Sequence, residues 1–463
     1  MRLATILMVF STGLALSQAL AQPPELPVAA APVPSGVARA LAPEPSGQPL
    51  GQPVEQGPIA STAQPAASGM TLAELETMAE RSNPSLAQAA ARVEALRGRC
   101  VQVGLYPNPT AGYIGSEIGN EGRAGQQGGF VGQELVTAGK LQLNREVVCQ
   151  EINQANWAYQ SQRMRVLTDV RRSFYEVLVA QQTMELTGQL VQIGEQGIKS
   201  TEELLKAKEV ARNDVLQAKI EADSARVFLE RARNRYIAAW RNLAAVMGAR
   251  DMPPRPLIGN IQEGMGQLTW EESLSKLWAQ SPQLASTRAG VARAQAALSR
   301  EYAGRIPNVE LQTSVQYDNA SGYTFASLQV GAPIPVFNRN QGNIRRAEAE
   351  LIAARHDVKR TELELQQRLA VAFEQYTNAR YQVEKYRKDI LPNAQESLKL
   401  TTTGYQQGQL SYLSLLTTQR TYFQTNITYL EAIRDLRTAA ATIEGNLLSD
   451  SLRAEGTGEG SGQ

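Results

Sequence analysis

The stretch Val309-Glu-Leu-Gln-Thr-Ser-Val-Gln-Tyr317 alternates strictly between two kinds of residue. Valine, leucine and tyrosine share one face of the predicted strand, whereas glutamate, glutamine and serine share the other, because side chains alternate along a strand. A turn at 318–322 and a return strand at about 323–332 complete a predicted β-hairpin. Each strand has about 9–11 residues, the length that crosses a bilayer when tilted. The pattern suits a barrel with a wet lumen or a half-buried sheet of a soluble protein.

A second, glycine-rich hairpin is predicted upstream, at about 110–119 and 127–136. Four strands are too few to close a barrel alone. Beyond the first 21 residues no run approaches about 18 apolar residues, so a membrane crossing would have to use these strands.

Two very long helical regions follow the hairpins, at about 142–246 and 342–448, and only Pro392 interrupts the second. Their inward positions recur every three or four residues, a seven-residue repeat typical of long helices packed side by side. Such helices need neighbours, so we predict a homo-oligomer, with a soluble coiled-coil rod as the alternative. The repeating positions are Val170, Phe174, Val177, Gln181, Met184 and Val191, and then Leu369, Phe373, Tyr376, Arg380, Val383 and Ile390.

The helices and hairpins belong to two copies of one unit, offset by about 199 residues. Thr71-Leu-Ala-Glu74 and Thr269-Trp-Glu-Glu272 are both capping boxes that open a helix, predicted at 71–103 and 269–303. Turn prolines and helix-opening prolines keep the same register. We therefore predict the following division: a signal peptide at 1–21, a disordered Pro/Ala-rich tether at 22–69, a first repeat at 70–267, a second repeat at 268–448 and a disordered tail at 449–463.

Composition argues against several functions. Lys and Arg number 46 and Asp and Glu 45, a formal net charge of +1, which gives no reason to expect nucleic acid as a partner. No nucleophile elbow, P-loop or zinc-protease motif occurs, so we predict no catalytic residues, no cofactor and no enzyme. The single histidine, His356, lies in a polar helical stretch, and no His/Cys cluster suits a metal.

Three features of the chain are those of a known family: the Asn83-Pro84 helix opening, the Ser281-Pro282 helix opening and the pattern Tyr405-Gln-Gln-Gly-Gln-Leu-Ser-Tyr-Leu-Ser-Leu-Leu416. Through these features the chain resembles, over about residues 70–448, the outer-membrane efflux proteins of the TolC type. The segment Ile334-Pro-Val-Phe-Asn-Arg-Asn-Gln-Gly342 is similar to the cation-efflux CzcC-like branch. Many members of that branch carry a lipidated N-terminal cysteine, whereas Gln22 stands at that place here.

The resemblance implies a mainly α fold with a small β part. Duplicated long α-helical hairpins would form an α-barrel in the periplasm, and four strands per protomer would contribute to a trimeric transmembrane β-barrel in outer-membrane lipid. The channel would be a passive conduit that exports solutes such as metal cations or drugs. Its partners would be a periplasmic adaptor (membrane fusion protein) and an inner-membrane pump of the RND type. The alternative is a periplasmic helical adaptor or scaffold without a pore.

By the same resemblance, the turns between the long helices bind the adaptor and line a gate. The residues concerned are Lys208, Asp214 and Gln217 in the first copy and Gly408, Ser414 and Thr417 in the second. Asp214 is the acidic member of this set, and capping of its own helix is the alternative role.

Cys100 and Cys149 are the only cysteines, and they flank the first hairpin. Their equivalents in the second copy are Arg300 and Glu348, an opposite-charge pair. We hypothesise that the two sites face each other between adjacent helices, joined by a disulfide in the first copy and by an ion pair in the second. Two unpaired buried thiols are the alternative.

Overall fold

The computed structural model describes residues 69–119, 122, 124–262 and 266–453. The predicted signal peptide and all but the last residue of the predicted tether lie outside this range. The described elements are α1 (Leu72–Ser82), α2 (Pro84–Gln102), β1 (Thr110–Ser116), β2 (Gln126–Leu135), α3 (Lys140–Lys206), α4 (Arg212–Met247), α5 (Trp270–Gln280), α6 (Pro282–Ala303), β3 (Val309–Asp318), β4 (Tyr323–Gly331), α7 (Gln341–Lys385), a π-helical turn (Tyr386–Ile390), α8 (Leu391–Gln406) and α9 (Tyr412–Glu444).

The opening helix of each repeat is divided in two, which the prediction of single helices at 71–103 and 269–303 missed. The breaks lie at Asn83 and Ser281, whose backbones are extended (ψ of 120° and 116°). A residue before proline avoids the helical conformation, whereas proline itself suits the first turn of a new helix. Each break residue caps the second helix, and the side chain of Asn83 also donates to the carbonyl of Val246 at 2.7 Å.

The four strands form one antiparallel sheet in the order β1-β2-β3-β4. The central pair, β2 and β3, joins the two repeats, with Leu135 opposite Val309 and Gln126 opposite Asp318. Within the described residues, β1 and β4 each have one strand neighbour and therefore one free edge. The two hairpins predicted from residue alternation are confirmed, with bounds that shift by one to three residues.

The long helices form the rest of the molecule. Helix α3 has 67 residues, which at 1.5 Å per residue is about 100 Å, and α4 returns along it. In the second repeat the rod runs through α7, the π-helical turn and α8. The π turn lies just before Pro392, where the ring would clash with a preceding carbonyl and the backbone N–H is missing. No described helix has both the length and the apolarity required to cross a membrane.

The core lies midway along α3 and along the rod from α7 to α8, where the last turns of α4 and α9 pack and both repeats meet. Trp240, Leu75 and Ile433 are almost fully buried there, and the Trp240 indole donates to the carbonyl of Met252 at 2.9 Å. The predicted seven-residue repeat is buried here, for example at Val170 and Leu369, but its members nearer the helix tips, such as Val191, are only half-buried.

The chain after α9 departs from the predicted disordered tail at 449–463. The carboxylate of Asp169 on α3 accepts hydrogen bonds from the N–H groups of Asp450 and Ser451 at 3.1 and 2.7 Å. The side chain of Gln162 donates to the carbonyl of Ser451 at 2.7 Å. Residues 449–453 are therefore packed on α3, and residues 454–463 lie outside the described range.

Candidate functional site

The sheet exposes its apolar face, and two polar side chains at the centre of its other face are buried. The exposed fractions of Val315 and Leu328 are 57% and 69%, whereas those of Ser314 and Gln316 are 4% and 6%. We call the first the outer face and the second the inner face. The outer face carries Tyr113, Val131, Leu135, Val315, Tyr317, Leu328 and Val330. A sheet of a water-soluble protein would bury these side chains, whereas a strand with lipid outside and water inside has this arrangement.

Glycines on β1 and β2 leave space for larger side chains on the inner face. The ring of Phe130 lies over Gly112, and the Gln316 side chain lies over Gly128. A Cβ atom on Gly128 would collide with the carbonyl oxygen of Val315. The Gln316 amide donates to the hydroxyl of Ser314 at 3.0 Å. The irregular, glycine-rich strands of the first repeat are therefore complementary to the regular strands of the second.

The tips of the two helical hairpins have the same turn. Lys208 and Gly408 both adopt a left-handed backbone, with φ of 61° and 72°. In each turn the N–H of the next residue donates to the carbonyl five residues back, at 2.9 Å in the first tip and 2.8 Å in the second. This is the hydrogen-bonding pattern that ends many helices at a left-handed residue. Lys208 and Gly408 therefore occupy equivalent positions of the two repeats and share one backbone conformation, although the residue types differ.

The predicted tip residues lie together at the end of the molecule, mostly bound to their own helices. The carboxylate of Asp214 accepts a hydrogen bond from the N–H of Ala211 at 3.0 Å, so the capping alternative describes its contact. The N–H of Ser414 donates to the Ser411 hydroxyl at 3.3 Å, and the Thr417 hydroxyl donates to the carbonyl of Leu413 at 2.9 Å. Lys208 and Gly408 are exposed, and Gln217 is half-buried. A gating or adaptor-binding role stays a prediction.

A pair of tyrosines lies at the second tip, close to Asp214 of the first, and sequence reasoning did not single it out. The rings of Tyr405 and Tyr412 lie 5.7 Å apart at the second tip, one on each side of the turn. Burial, and then Tyr405 and Glu221, raise the pKa of Tyr412 to about 12. Burial and the nearby Asp214 carboxylate raise the pKa of Tyr405. The two aromatic residues flanking the turn in the quoted tip pattern were the available signal.

The two cysteines lie side by side on adjacent helices, Cys100 on α2 and Cys149 on α3. Their sulfur atoms are 3.7 Å apart, and both are free thiols. Burial and the contact with Cys100 raise the pKa of the Cys149 thiol. The predicted proximity is therefore present, while the disulfide itself stays a prediction.

The ion pair predicted at the equivalent place in the second repeat is wrong. Arg300 instead donates to Asn144 at 3.0 Å and pairs with Glu301 at 3.2 Å. Glu348 accepts a hydrogen bond from the Tyr302 hydroxyl at 2.8 Å. The guanidinium of Arg300 is therefore satisfied by its sequence neighbour Glu301 and by Asn144 of α3, and Glu348 is not among its partners.

Metal ligation finds no support in the described part of the chain. His356 is exposed on α7. Across residues 69–119, 122, 124–262 and 266–453, no group of three or more His, Cys, Asp or Glu side chains could hold a metal ion.

Comparisons with known proteins agree with this geometry. A model of the outer membrane efflux protein family matches the chain twice, over residues 75–249 and 273–447, which correspond to the two repeats. The cobalt-zinc-cadmium resistance protein CzcC of Cupriavidus metallidurans is 26% identical over 379 residues, covering 82% of this chain and 90% of that protein.

Solved structures show the same fold. CusC, which forms a transmembrane channel, superposes with a TM-score of 0.69 at 18% identity, covering 86% of this chain and 99% of that one. The outer membrane protein VceC of Vibrio cholerae superposes with a TM-score of 0.63 at 18% identity, covering 81% of this chain and 94% of that one. The predicted mainly α fold with four strands is confirmed.

Proposed function

The chain belongs to the outer membrane efflux protein family, and on this premise we propose that it is the outer-membrane channel of a tripartite efflux system. Proteins of this family are channels and not enzymes, and they lie in the outer membrane with a helical tunnel in the periplasm. The chain would act as a passive conduit, with transport driven by a pump in the inner membrane.

One observation carries the proposal: a four-stranded sheet whose outer face is apolar and exposed, whose inner face carries Ser314 and Gln316, and whose two edge strands pair with no further strand in the described part of the chain. An open sheet edge in lipid would leave backbone N–H and C=O groups without partners, at a cost of several kcal/mol each. Pairing of β4 with β1 of another copy removes this cost. Three copies would supply twelve strands and close a barrel, so we propose a homotrimer.

The proposed partners bind at the far ends of the helices. The first tip lies at the end of α3, a helix of about 100 Å, and the second lies between α8 and α9, so both are far from the sheet. Around residues 204–217 the first tip carries Lys206, Lys208, Glu209, Arg212 and Asp214, whereas the second is uncharged from Tyr405 to Gln419. We propose that a periplasmic adaptor docks on these two chemically different tips and connects the channel to a pump of the RND type.

The proposed solutes are divalent metal cations. The support is the similarity to CzcC, a cobalt-zinc-cadmium resistance protein. A passive conduit leaves the choice of substrate mainly to its pump, so drug export is the competing outcome of the test.

The test combines two measurements. Purified protein in a planar lipid bilayer should conduct ions, and cells that lack the gene should become more sensitive to cobalt, zinc and cadmium salts. Re-expression of the wild-type chain should restore resistance, whereas a variant that cannot insert should not. Sensitivity to drugs alone would contradict the metal assignment. A water-soluble protein without conductance would contradict the channel and favour the adaptor alternative.

A further inference from the structure

Hydrogen bonds link the two repeats at the end of the sheet where the long helices begin. We call this contact, made by residues 134–140 of the first repeat and Pro307 and Asn308 of the second, the polar joint. The Thr137 hydroxyl, just after β2, donates to the carbonyl of Pro307, just before β3, at 2.6 Å. The Lys140 ammonium donates to the Asn308 side chain, also at 2.6 Å. Asn308 in turn donates to the Glu134 carboxylate at 2.6 Å. The segment that follows one strand is thus bound to the segment that precedes the next.

The same two kinds of segment occur at the free edges of the sheet, without each other as partners. Residues 332–340 follow β4, and residues 105–109 precede β1. The strand register places both at the end of the sheet that carries the polar joint, because Thr110 lies opposite Gly132 and Gly331 lies opposite Glu310.

Both segments expose large apolar side chains. The exposed fraction is 91% for Phe337 and 84% for Ile334 after β4, and 54% for Leu105 and 67% for Tyr106 before β1. Water-exposed apolar groups of this size, concentrated in two patches, mark interaction surfaces.

The repeat relates the two free segments to the two segments of the joint. Pro107-Asn108 corresponds to Pro307-Asn308 of the joint. Asn340, which precedes α7, corresponds to Gly139, which precedes α3, and both adopt a left-handed backbone with φ of 60° and 64°. Within the chain, the second repeat lies beside the first with β3 next to β2. The same spatial relation, applied once more, would place the first repeat of a second copy beside β4.

We propose that residues 332–340 of one copy pack against residues 105–109 of a second copy, with Phe337 and Ile334 covering Leu105 and Tyr106. This inference rests on the proposed trimer and adds the contact that closes its ring at the membrane boundary. The contact repeats the internal joint in position but replaces its polar side chains with apolar ones. Asn108, which is exposed, lies in the place that Asn308 occupies in the joint.

The chemistry of the segments favours a second copy over lipid as the occupant. Residues 332–340 include Arg339, whose side chain is exposed beside the apolar ones, and a hydrocarbon environment would remove water from its guanidinium without supplying a partner. A protein surface that offers both apolar rings and backbone carbonyls can satisfy both kinds of group.

The test is site-directed cross-linking. In the Cys100→Ser, Cys149→Ser background, Tyr106→Cys and Phe337→Cys are introduced together, and membranes are treated with a mild oxidant such as copper phenanthroline. We expect a ladder of covalent dimers and trimers on non-reducing gels. The matched control combines Phe337→Cys with Leu363→Cys, an exposed position of α7 far along the helix, and should give no ladder.

A second readout does not depend on cysteine chemistry. Phe337→Asp should lower the temperature at which trimers dissociate in detergent, whereas Phe337→Leu should leave it nearly unchanged. Native mass spectrometry reports the number of copies in the assembly, and it therefore tests the proposed trimer independently of the proposed contact between residues 332–340 and 105–109. Trimers that give no ladder with the Tyr106 and Phe337 cysteines would overturn this contact and leave the channel standing, and a monomer would overturn both.

Discussion

At the scale of single residues, the two tips place different residues, Lys208 and Gly408, at the same left-handed position of their turns. Gly408 adopts φ of 72° without strain, whereas Lys208 adopts φ of 61° with a side chain attached. A left-handed backbone costs a residue with a Cβ atom about 1–2 kcal/mol relative to glycine. The first tip is therefore held in its turn against a local conformational preference.

Lys208→Gly should stabilise the first tip by about 1 kcal/mol. The measurement is native-state hydrogen exchange at the amides of residues 204–212, which should slow about fivefold. Gly408→Ala is the matched control and should speed up exchange at the second tip. Unchanged or faster exchange in Lys208→Gly would mean that the turn is not strained by the lysine.

Cys100 and Cys149 should form a disulfide in the oxidising periplasm. Their sulfur atoms already lie 3.7 Å apart, so little movement is needed. The two thiols would lose two protons and two electrons to a disulfide-carrying periplasmic oxidant, which is reduced to a dithiol. Because the pKa of Cys149 is raised, its thiolate fraction at neutral pH is small, and oxidation should accelerate as pH rises.

Intact-mass measurement under non-reducing conditions tests the disulfide, since the bonded protein lacks two hydrogens and resists alkylation. Cys149→Ser should leave one reactive thiol at Cys100. In the chain-entropy model, closing a loop of about 50 residues stabilises the fold by about 4 kcal/mol, so reduction should lower the melting temperature. If both cysteines are alkylated in protein isolated without a reductant, the disulfide hypothesis is wrong.

At the scale of elements, the proposed role of the sheet as part of a channel wall depends on its exposed apolar outer face. Leu328 and Gln329 are adjacent on β4, yet they point to the outer and inner faces respectively. The same substitution at the two positions therefore meets lipid in one case and the polar interior in the other.

Leu328→Arg should prevent stable insertion, because an arginine near the middle of the lipid face costs about 2–4 kcal/mol per copy. Gln329→Arg, the matched control, should insert normally and shift the ion selectivity of the conductance toward anions, since it adds positive charge to the interior. The measurements are the amount of protein in outer-membrane fractions and the reversal potential in planar bilayers. Equal insertion of both variants would contradict the assignment of the faces.

The π-helical turn at Tyr386–Ile390 is an element whose shape we attribute to one nearby residue, Pro392. Pro392→Ala restores the missing N–H donor and removes the ring clash, so the rod should become regular α-helix at that point. Hydrogen exchange at residues 386–391 should slow, with the continuous helix around Gly194 in the first repeat as an internal reference. Exchange that stays unchanged would assign the π turn to tertiary packing and not to the proline.

At the scale of the whole molecule, one chain contains two versions of the same unit that have become complementary. The first supplies a glycine-rich hairpin and a charged tip, and the second supplies a regular hairpin and an uncharged tip. The core where the repeats meet is well buried, whereas the outer face, the free edges and the segments beside them stay open. The protomer is therefore stable where its repeats pack and incomplete where another copy is proposed to join.

Periodicity and turn chemistry were enough to predict the long helices, the two hairpins and the repeat. These features depend on interactions within a few residues, such as the capping box at Thr71, the helix cap at Thr269, where the hydroxyl accepts from Glu272 but the reciprocal bond of the predicted box is not formed, and the alternation from Val309 to Tyr317. The break at Asn83 also has a local cause, since Pro84 limits the preceding backbone, although periodicity alone predicts one continuous helix there.

Only the tertiary structure decided which distant side chains meet. Arg300 binds Asn144 instead of Glu348, the segment at 450–451 packs on Asp169, and Tyr405 lies beside Tyr412 and near Asp214. Such contacts depend on how the helices are rotated and displaced against one another, and packing of the whole core sets these relations. A local pattern contains no information about them, because many partners of the same charge or shape compete for each side chain.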